Sequence, residues 1–223
     1  MKYPGGKGKC FQRLINLMPQ HHTYIETHLG GGAVMRNKLP ADRNIGIDLD
    51  SNVIQRWHEE ENGVCELFHT NATSFLRNYT FKGGELIYAD PPYVHGTRRN
   101  NKIYRHEYTD ADHHELLELL VTLPCYIMIS GYASTLYEEF LHGWRRETFN
   151  AKTHTGVREE SVWLNFSPPI KLHDARYMGD TYRERQTVAR RRARLYDRID
   201  QMDPTERSEL MKWLNSKYGL EAV

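Results

Sequence analysis

Apolar residues follow two rhythms along this chain. Seven short runs rich in β-branched and aromatic side chains read as strands: residues 24–28, 44–48, 64–69, 85–89, 125–130, 146–151 and 161–166. Between most of them the apolar positions recur at helical spacing. Residues 7–18 align Phe11, Leu14, Ile15 and Met18, with Pro19 just beyond. Residues 33–38 form a short helix ending before Leu39-Pro40, and residues 51–60 begin with Ser51 at a capping position. Residues 109–123 open with Thr109-Asp110-Ala111-Asp112, whose oxygens can accept the free amide hydrogens of a first turn, and continue through Leu116, Leu117, Leu119 and Leu120. Residues 134–142 complete this set.

Strand alternating with helix predicts an α/β, Rossmann-like, mainly parallel sheet of seven strands. The last two runs are separated by residues 152–160, with Gly156 near the middle and no helical pattern, so they should pair as an antiparallel C-terminal hairpin. After Pro168-Pro169 the composition shifts. Residues 180–200 are helical and carry seven arginines between Arg183 and Arg198 against Glu184 and Asp197. Residues 204–218 have Asp203 as N-cap, Pro204 in the first turn and Gly219 as the stop. The expected organisation is a domain over residues 1–170 and a basic helical tail over 171–223.

Composition narrows the function classes. At 223 residues and 39% hydrophobic the chain can bury one sizeable core, which excludes wholesale disorder. Lys plus Arg total 30 against 29 acids, so any attraction to a polyanion must come from local clustering. Cys10, Cys65 and Cys125 are odd in number and far apart, which excludes a disulfide framework and fits a reducing cytoplasm. His21-His22 and His113-His114 have no partner histidine four residues on, so no metal site is expected. No apolar run approaches the roughly 20 residues of a membrane span, and no apolar leader follows Met1.

Two motifs carry chemistry. Glu26-Thr27-His28-Leu29-Gly30-Gly31-Gly32 follows the first strand and opens a helix, so its glycines can turn tightly and let the backbone approach a ligand. The second strand ends at Asp48, where an acid can accept hydrogen bonds from both hydroxyls of a ribose. Gly5-Gly6-Lys7-Gly8-Lys9-Cys10 lacks phosphate-loop spacing. The second motif, Asp90-Pro91-Pro92-Tyr93, follows the fourth strand and sits at the carboxyl edge of the sheet. Its prolines stiffen a loop that can present an outward carbonyl. Asp90 and the Pro91 carbonyl can both accept from an exocyclic amine, while Tyr93 offers a π-face to the ring bearing it. Such a site would polarise a planar amino group towards attack on an electrophilic methyl.

These motifs, with Lys2-Tyr3-Pro4-Gly5-Gly6-Lys7, Ser130-Gly131-Tyr132 and Glu160-Ser161-Val162-Trp163-Leu164-Asn165, arrive in an order that resembles the Dam-like class of DNA adenine N6-methyltransferases, in its compact phage and prophage form. The resemblance runs from Met1 to about Pro169. It implies S-adenosyl-L-methionine as cofactor, double-stranded DNA as partner, and a cytoplasmic location in a bacterial host. It implies that Tyr3 and Lys7 help enclose the cofactor, Lys7 facing the methionine carboxylate. Glu26, Gly30, Gly31 and Gly32 would border the methionine moiety, Asp48 would bind the ribose and Asn71 would stand against the cofactor's adenine. The family often has Asp at the position of Asn71, and His28-Leu29 replaces a Phe and a small residue. Asp90, Pro91, Pro92 and Tyr93 would hold a flipped adenine while its amine takes the methyl directly.

The segment after Tyr93 carries Arg98, Arg99, Asn100, Lys102 and Arg105, side chains suited to phosphates and base edges beside the catalytic motif. Residues 154–158 are a second candidate for the rim of the base pocket. The helical recognition region that larger relatives insert before the catalytic motif is effectively absent, since only residues 72–84 separate Asn71 from the fourth strand. Arg190-Arg191-Arg192-Ala193-Arg194 in the tail could lie along phosphates, or Val188, Leu195, Ile199, Leu210, Met211 and Leu214 could form an oligomerisation arm. Two other classes stay open: a methyltransferase acting on RNA or a protein amide, and a catalytically silent DNA-binding module of the same fold.

Overall fold

The computed structural model describes residues 6–8, 10–60, 63–97, 105–153 and 156–219, with the side chains of residues 151–158 outside the description. The strands are β1 (Thr23–Glu26), β2 (Arg43–Asp48), β3 (Glu66–His69), β4 (Glu85–Ala89), β5 (Tyr126–Gly131), β6 (Arg145–Thr153) and β7 (Gly156–Leu164). They form one seven-stranded sheet in the order β3-β2-β1-β4-β5-β7-β6. Neighbours from β3 to β5 pair in parallel, and β7 runs antiparallel to both β5 and β6. This is the predicted architecture.

The register stacks apolar residues across the sheet: Ile25 lies opposite Ile45 on one side and Ile87 on the other. These three, with Ile47, Ile127 and Ile129, join Leu116, Leu117 and Leu120 of helix α5 (Asp110–Leu120) in one buried cluster. Each such side chain contributes roughly 1.5–3 kcal/mol by leaving water. All five residues of β4 are buried, as expected for a central parallel strand covered on both faces. The chain moves outward from β1 through β2 to β3, then returns past β1 to β4 and β5. The reversal leaves a crevice beyond the carboxyl ends of β1 and β4, and the chemistry-bearing motifs end there.

The remaining helices are α1 (Phe11–Ile15), α2 (Ala33–Asn37), α3 (Ser51–Glu60), α4 (Ala72–Asn78), α6 (Thr135–Phe140), α7 (Tyr182–Asp200) and α8 (Pro204–Tyr218). The helix start expected at Thr109 takes the form of a capping box: the Thr109 hydroxyl accepts from the Asp112 amide at 3.2 Å, and its own amide donates to Asp112 at 2.7 Å. The structure departs from the sequence reading in three places. α4 was not anticipated; Asn71 starts it by accepting from the Thr73 and Ser74 amides, and Leu76 is buried in the core. α1 is shorter than residues 7–18: it spans Phe11–Ile15, with the Lys7 carbonyl accepting from the Cys10 and Phe11 amides at 3.0 and 2.8 Å. β6 and β7 are nine residues each and reach almost to the turn, since cross-strand pairing continues from Arg145↔Leu164 to Thr153↔Gly156.

The chain divides into two compact units, Met1–Ala175 and Arg176–Val223. Residues beyond Pro169 stay tied to the first unit. Leu172 bridges Pro19, the His173 amide donates to the Met18 carbonyl at 3.1 Å, and Asp174 accepts from the Leu39 amide at 3.1 Å. His173 also stacks on buried His21 with ring centroids 3.9 Å apart. The second unit carries α7 and α8; Thr181 caps α7 by accepting from the Glu184 amide, and Asp203, the expected cap of α8, accepts from the Thr205 amide. Among the described residues no helix is long and apolar enough to cross a membrane.

Candidate functional site

The glycine turn closes on the neighbouring strands. The Leu29 amide donates to the Ile47 carbonyl at 2.9 Å, which carries the chain from β1 towards the end of β2. Gly30 and Gly32 adopt positive φ of 45° and 55°, the left-handed region that a side chain disfavours. At Gly32 a Cβ would also overlap the Trp57 ring. Trp57 of α3 in turn donates its indole N–H to the Gly30 carbonyl at 2.9 Å, so the turn rests on a buried aromatic.

Asp48 meets this turn from β2. Its Oδ2 accepts from the Gly30 amide at 2.8 Å and its Oδ1 from the Asp50 amide at 2.9 Å. Burial pushes its carboxyl above the ordinary range, and these two amides work against that shift. Each oxygen of a carboxylate keeps further acceptor capacity, which suits a vicinal diol. Glu26, at the end of β1, is buried and accepts from the Tyr24 hydroxyl at 3.0 Å and the Met35 amide at 3.1 Å. Burial raises its carboxyl to about 8, against the pull of those donors, so at neutral pH it is mostly protonated.

Asp90 emerges from β4 into the same crevice. Lys7 Nζ donates to Asp90 Oδ1 at 2.7 Å and to the Tyr93 hydroxyl at 2.7 Å, and it lies 3.8 Å from Glu160 Oε1 on β7. Lys7 is 6% exposed. Burial works against its charge, but Asp90 and Glu160 more than reverse that and hold the ammonium well above its usual range. Burial pushes the Asp90 carboxyl up, and Lys7 opposes the shift. The result is a desolvated carboxylate oriented by a buried cation. Tyr93 is buried beneath it, edge-on to Tyr132 with centroids 4.5 Å apart.

One wall of the crevice comes from residues the motifs did not single out for a role. His28 Nε2 lies 2.8 Å from the Tyr108 hydroxyl, and its Nδ1 lies 2.9 Å from the Thr27 hydroxyl. Burial lowers His28 to about 3, so the ring is neutral. Tyr108, Asp50, Leu49 and His106 complete that side. Tyr108 has one sequence signal, its position immediately before the Thr109 cap and so at the carboxyl edge of the sheet. Glu160 was visible only as the first residue of a quoted motif.

The crevice holds about 720 Å³ of free space continuous with solvent. It brings together Lys7, Glu26, Gly30, Gly31, Gly32, Asp48, Asp90 and Pro92 of the residues singled out from sequence. Pro91 and Tyr93 are buried behind that lining. Asn71 does not line it; its Oδ1 accepts from the Thr73 and Ser74 amides at 2.8 and 3.2 Å and from the Thr73 hydroxyl at 2.7 Å. Arg105 is exposed and pairs with Asp50 at 3.4 Å. Tyr3, Arg98, Arg99, Asn100 and Lys102 lie outside the described residues, as do the side chains of residues 154–158. The Lys7 ammonium already faces Asp90 and Tyr93, so the expected role towards a cofactor carboxylate competes with these partners.

The residues present fit S-adenosylmethionine. Asp48 offers acceptors for a ribose diol, the glycine turn admits close approach, and Glu26 adds an acidic group to the same crevice. Neither a scan against protein-family models nor a search of curated proteins gives a match. Solved structures do. The N-methyltransferase NodS from Bradyrhizobium japonicum WM9 is similar over 73% of this chain and 100% of its own, with TM-score 0.50 and 12% identity. The 23S rRNA methyltransferase ErmE is similar over 75% of this chain and 71% of its own, with TM-score 0.50 and 9% identity. With the strand order and the single antiparallel strand, this establishes the Rossmann-like methyltransferase fold.

Proposed function

We propose that this protein transfers a methyl group from S-adenosylmethionine to the N6 amine of adenine in double-stranded DNA. The observation that carries the reading is Asp90: a desolvated carboxylate, oriented by Lys7, opening onto the same crevice as Asp48 and the Gly30–Gly32 turn. Adenine rather than another amine, and DNA rather than RNA, rest on the order of sequence motifs from Lys2 to Asn165.

When bound, the cofactor supplies an electrophilic sulfonium methyl. Asp90, which lines the crevice, accepts an amino hydrogen of the extruded base, and this directs the nitrogen lone pair at the methyl carbon. The methyl would pass directly to that nitrogen, and the cofactor would leave as a neutral thioether with the electron pair of the C–S bond. The surplus proton leaves the amine along the hydrogen bond to Asp90 and passes to water. Lys7 holds Asp90 in place and opposes the effect of burial on its carboxyl, so little reorganisation is needed as charge moves. Tyr93 buttresses Lys7 and the Asp90 loop through its hydroxyl.

The test is to incubate the protein with labelled S-adenosylmethionine and unmethylated genomic DNA, then identify the modified nucleoside. N6-methyladenine is expected. Asp90→Ala should abolish transfer while leaving cofactor binding largely intact. Label appearing in RNA or in protein instead would overturn the substrate, and full activity of Asp90→Ala would overturn the mechanism.

A further inference from the structure

The second unit carries a surface that the reaction does not account for. Along α7, Arg183, Arg190, Arg194 and Arg198 recur at steps of seven, four and four residues, which returns each to the same side of the helix, and Arg191 flanks them. All five are exposed. The half-buried residues Arg185, Val188, Arg192 and Ile199 fall on a different side. Glu184 is occupied at the helix start, where it accepts from the Asp180 and Thr181 amides at 2.9 and 3.2 Å. Among the described residues no acid forms an ion pair with any of the five arginines.

A face that is only solvated normally mixes charges, as α8 does where Lys212 pairs with Glu209 at 2.6 Å. α7 instead has one acid, Asp197, on that side, and sets Arg190, Arg194 and Arg198 four residues apart; each such like-charge pair costs a helix roughly 0.2–0.5 kcal/mol. That repulsion is relieved by a polyanion. The stripe from Arg183 to Arg198 is about 22 Å long at 1.5 Å per residue. A duplex presents about 13 phosphate charges over about 22 Å. Guanidinium groups match phosphate oxygens in paired hydrogen bonds.

We propose that this arginine face of α7 binds the phosphate backbone of duplex DNA. The choice of DNA rests on the methyltransferase reading above; the affinity for a polyanion rests on the face alone. Contacts of this kind hold and orient a duplex without reading bases. They supply affinity to a chain with little room for a recognition insert between β3 and β4.

The experiment uses the full chain and a variant carrying Arg190→Gln, Arg191→Gln, Arg194→Gln and Arg198→Gln, none of which lies in the crevice. Binding of a fluorescent 25-base-pair duplex is followed by anisotropy between 50 and 300 mM NaCl. The slope of log affinity against log salt should become shallower by about three to four, with affinity down on the order of 100-fold at 0.1 M salt. The KM for DNA should rise while kcat at saturating DNA and cofactor affinity stay unchanged. Lysine at the same four positions should retain most of the binding, which separates loss of charge from loss of fold. Unchanged affinity and slope would overturn the proposal. So would an altered sedimentation coefficient without a DNA effect, or a loss confined to duplex RNA. Salt-dependent DNA binding that the variant loses, with no methylated base ever formed, would leave the face standing and overturn the activity reading.

Discussion

Lys7 is the buried cation facing half-buried Asp90 and buried Glu160, and replacing it with methionine isolates what that arrangement is worth. Lys7→Met keeps most of the side-chain volume and removes the charge. At an effective dielectric of about 20, the 2.7 Å contact with Asp90 is worth roughly 6 kcal/mol and the 3.8 Å contact with Glu160 roughly 4 kcal/mol before desolvation is counted. Most of that gain offsets the penalty of burying three charges. Removing one partner leaves the others uncompensated and typically costs about 3–5 kcal/mol. Lys7→Met should reach that range at pH 7. Asp90→Asn should cost less, about 1–3 kcal/mol, because Lys7 keeps Glu160 and the Tyr93 hydroxyl. The double variant should show a coupling of about 2 kcal/mol.

The pH dependence has a definite sign. Burial already raises Asp90 above its unfolded value of 3.8, with Lys7 opposing. Without Lys7 the folded chain holds the Asp90 proton more tightly still, so the deficit of Lys7→Met must shrink as pH falls through that raised value. Urea unfolding followed by circular dichroism between pH 5 and 8 measures both effects. A deficit under about 1 kcal/mol at pH 7, or one of constant size across the range, would refute the reasoning.

Three further outcomes are expected. Glu26 titrates near 8 when folded against 4.5 unfolded, so the folded chain keeps a proton the unfolded chain has lost, and stability should decline between those values. Glu26→Gln should flatten this dependence, which a series of urea titrations across pH will reveal. Cofactor binding should release a proton at pH 7 as a sulfonium or ammonium approaches Glu26, read from calorimetric enthalpies in buffers of different ionisation heat. Gly32→Ala should lower stability by about 2–3 kcal/mol and weaken cofactor binding, because the left-handed turn and the Trp57 ring both resist a Cβ; a wild-type melting curve would count against the turn's role.

Much of the fold was legible because its signals are local. β4 is an apolar run bounded by turn residues, α5 announces itself with Thr109 and Asp112, and α8 is framed by Asp203, Pro204 and Gly219. α4 escaped notice because its apolar residues, Phe75 and Leu76, occupy a helix of seven residues, too short for periodicity to emerge. The hairpin of β6 and β7 was drawn too short because Arg145, Lys152 and Arg158 are polar yet paired in the ladder, where backbone hydrogen bonding outweighs side-chain propensity. The bonds of residues 172–174 to Pro19, Met18 and Leu39 join positions more than a hundred residues apart, so no local pattern signals them.

The candidate site divides along the same line. The sequence alone determined its ingredients: glycines where the backbone must turn left-handed, an acid ending β2, and Asp90 with two prolines ending β4. These follow from chemistry that a few neighbouring residues express by themselves. Only the tertiary structure decided how the ingredients are used. It turned Lys7 towards Asp90, brought Glu160 across from β7, set His28 against Tyr108, and committed Asn71 to starting α4. Burial and charge pairing between distant segments exist only once the sheet has assembled, because the desolvation that gives them their strength comes from the packed chain and not from any stretch of it.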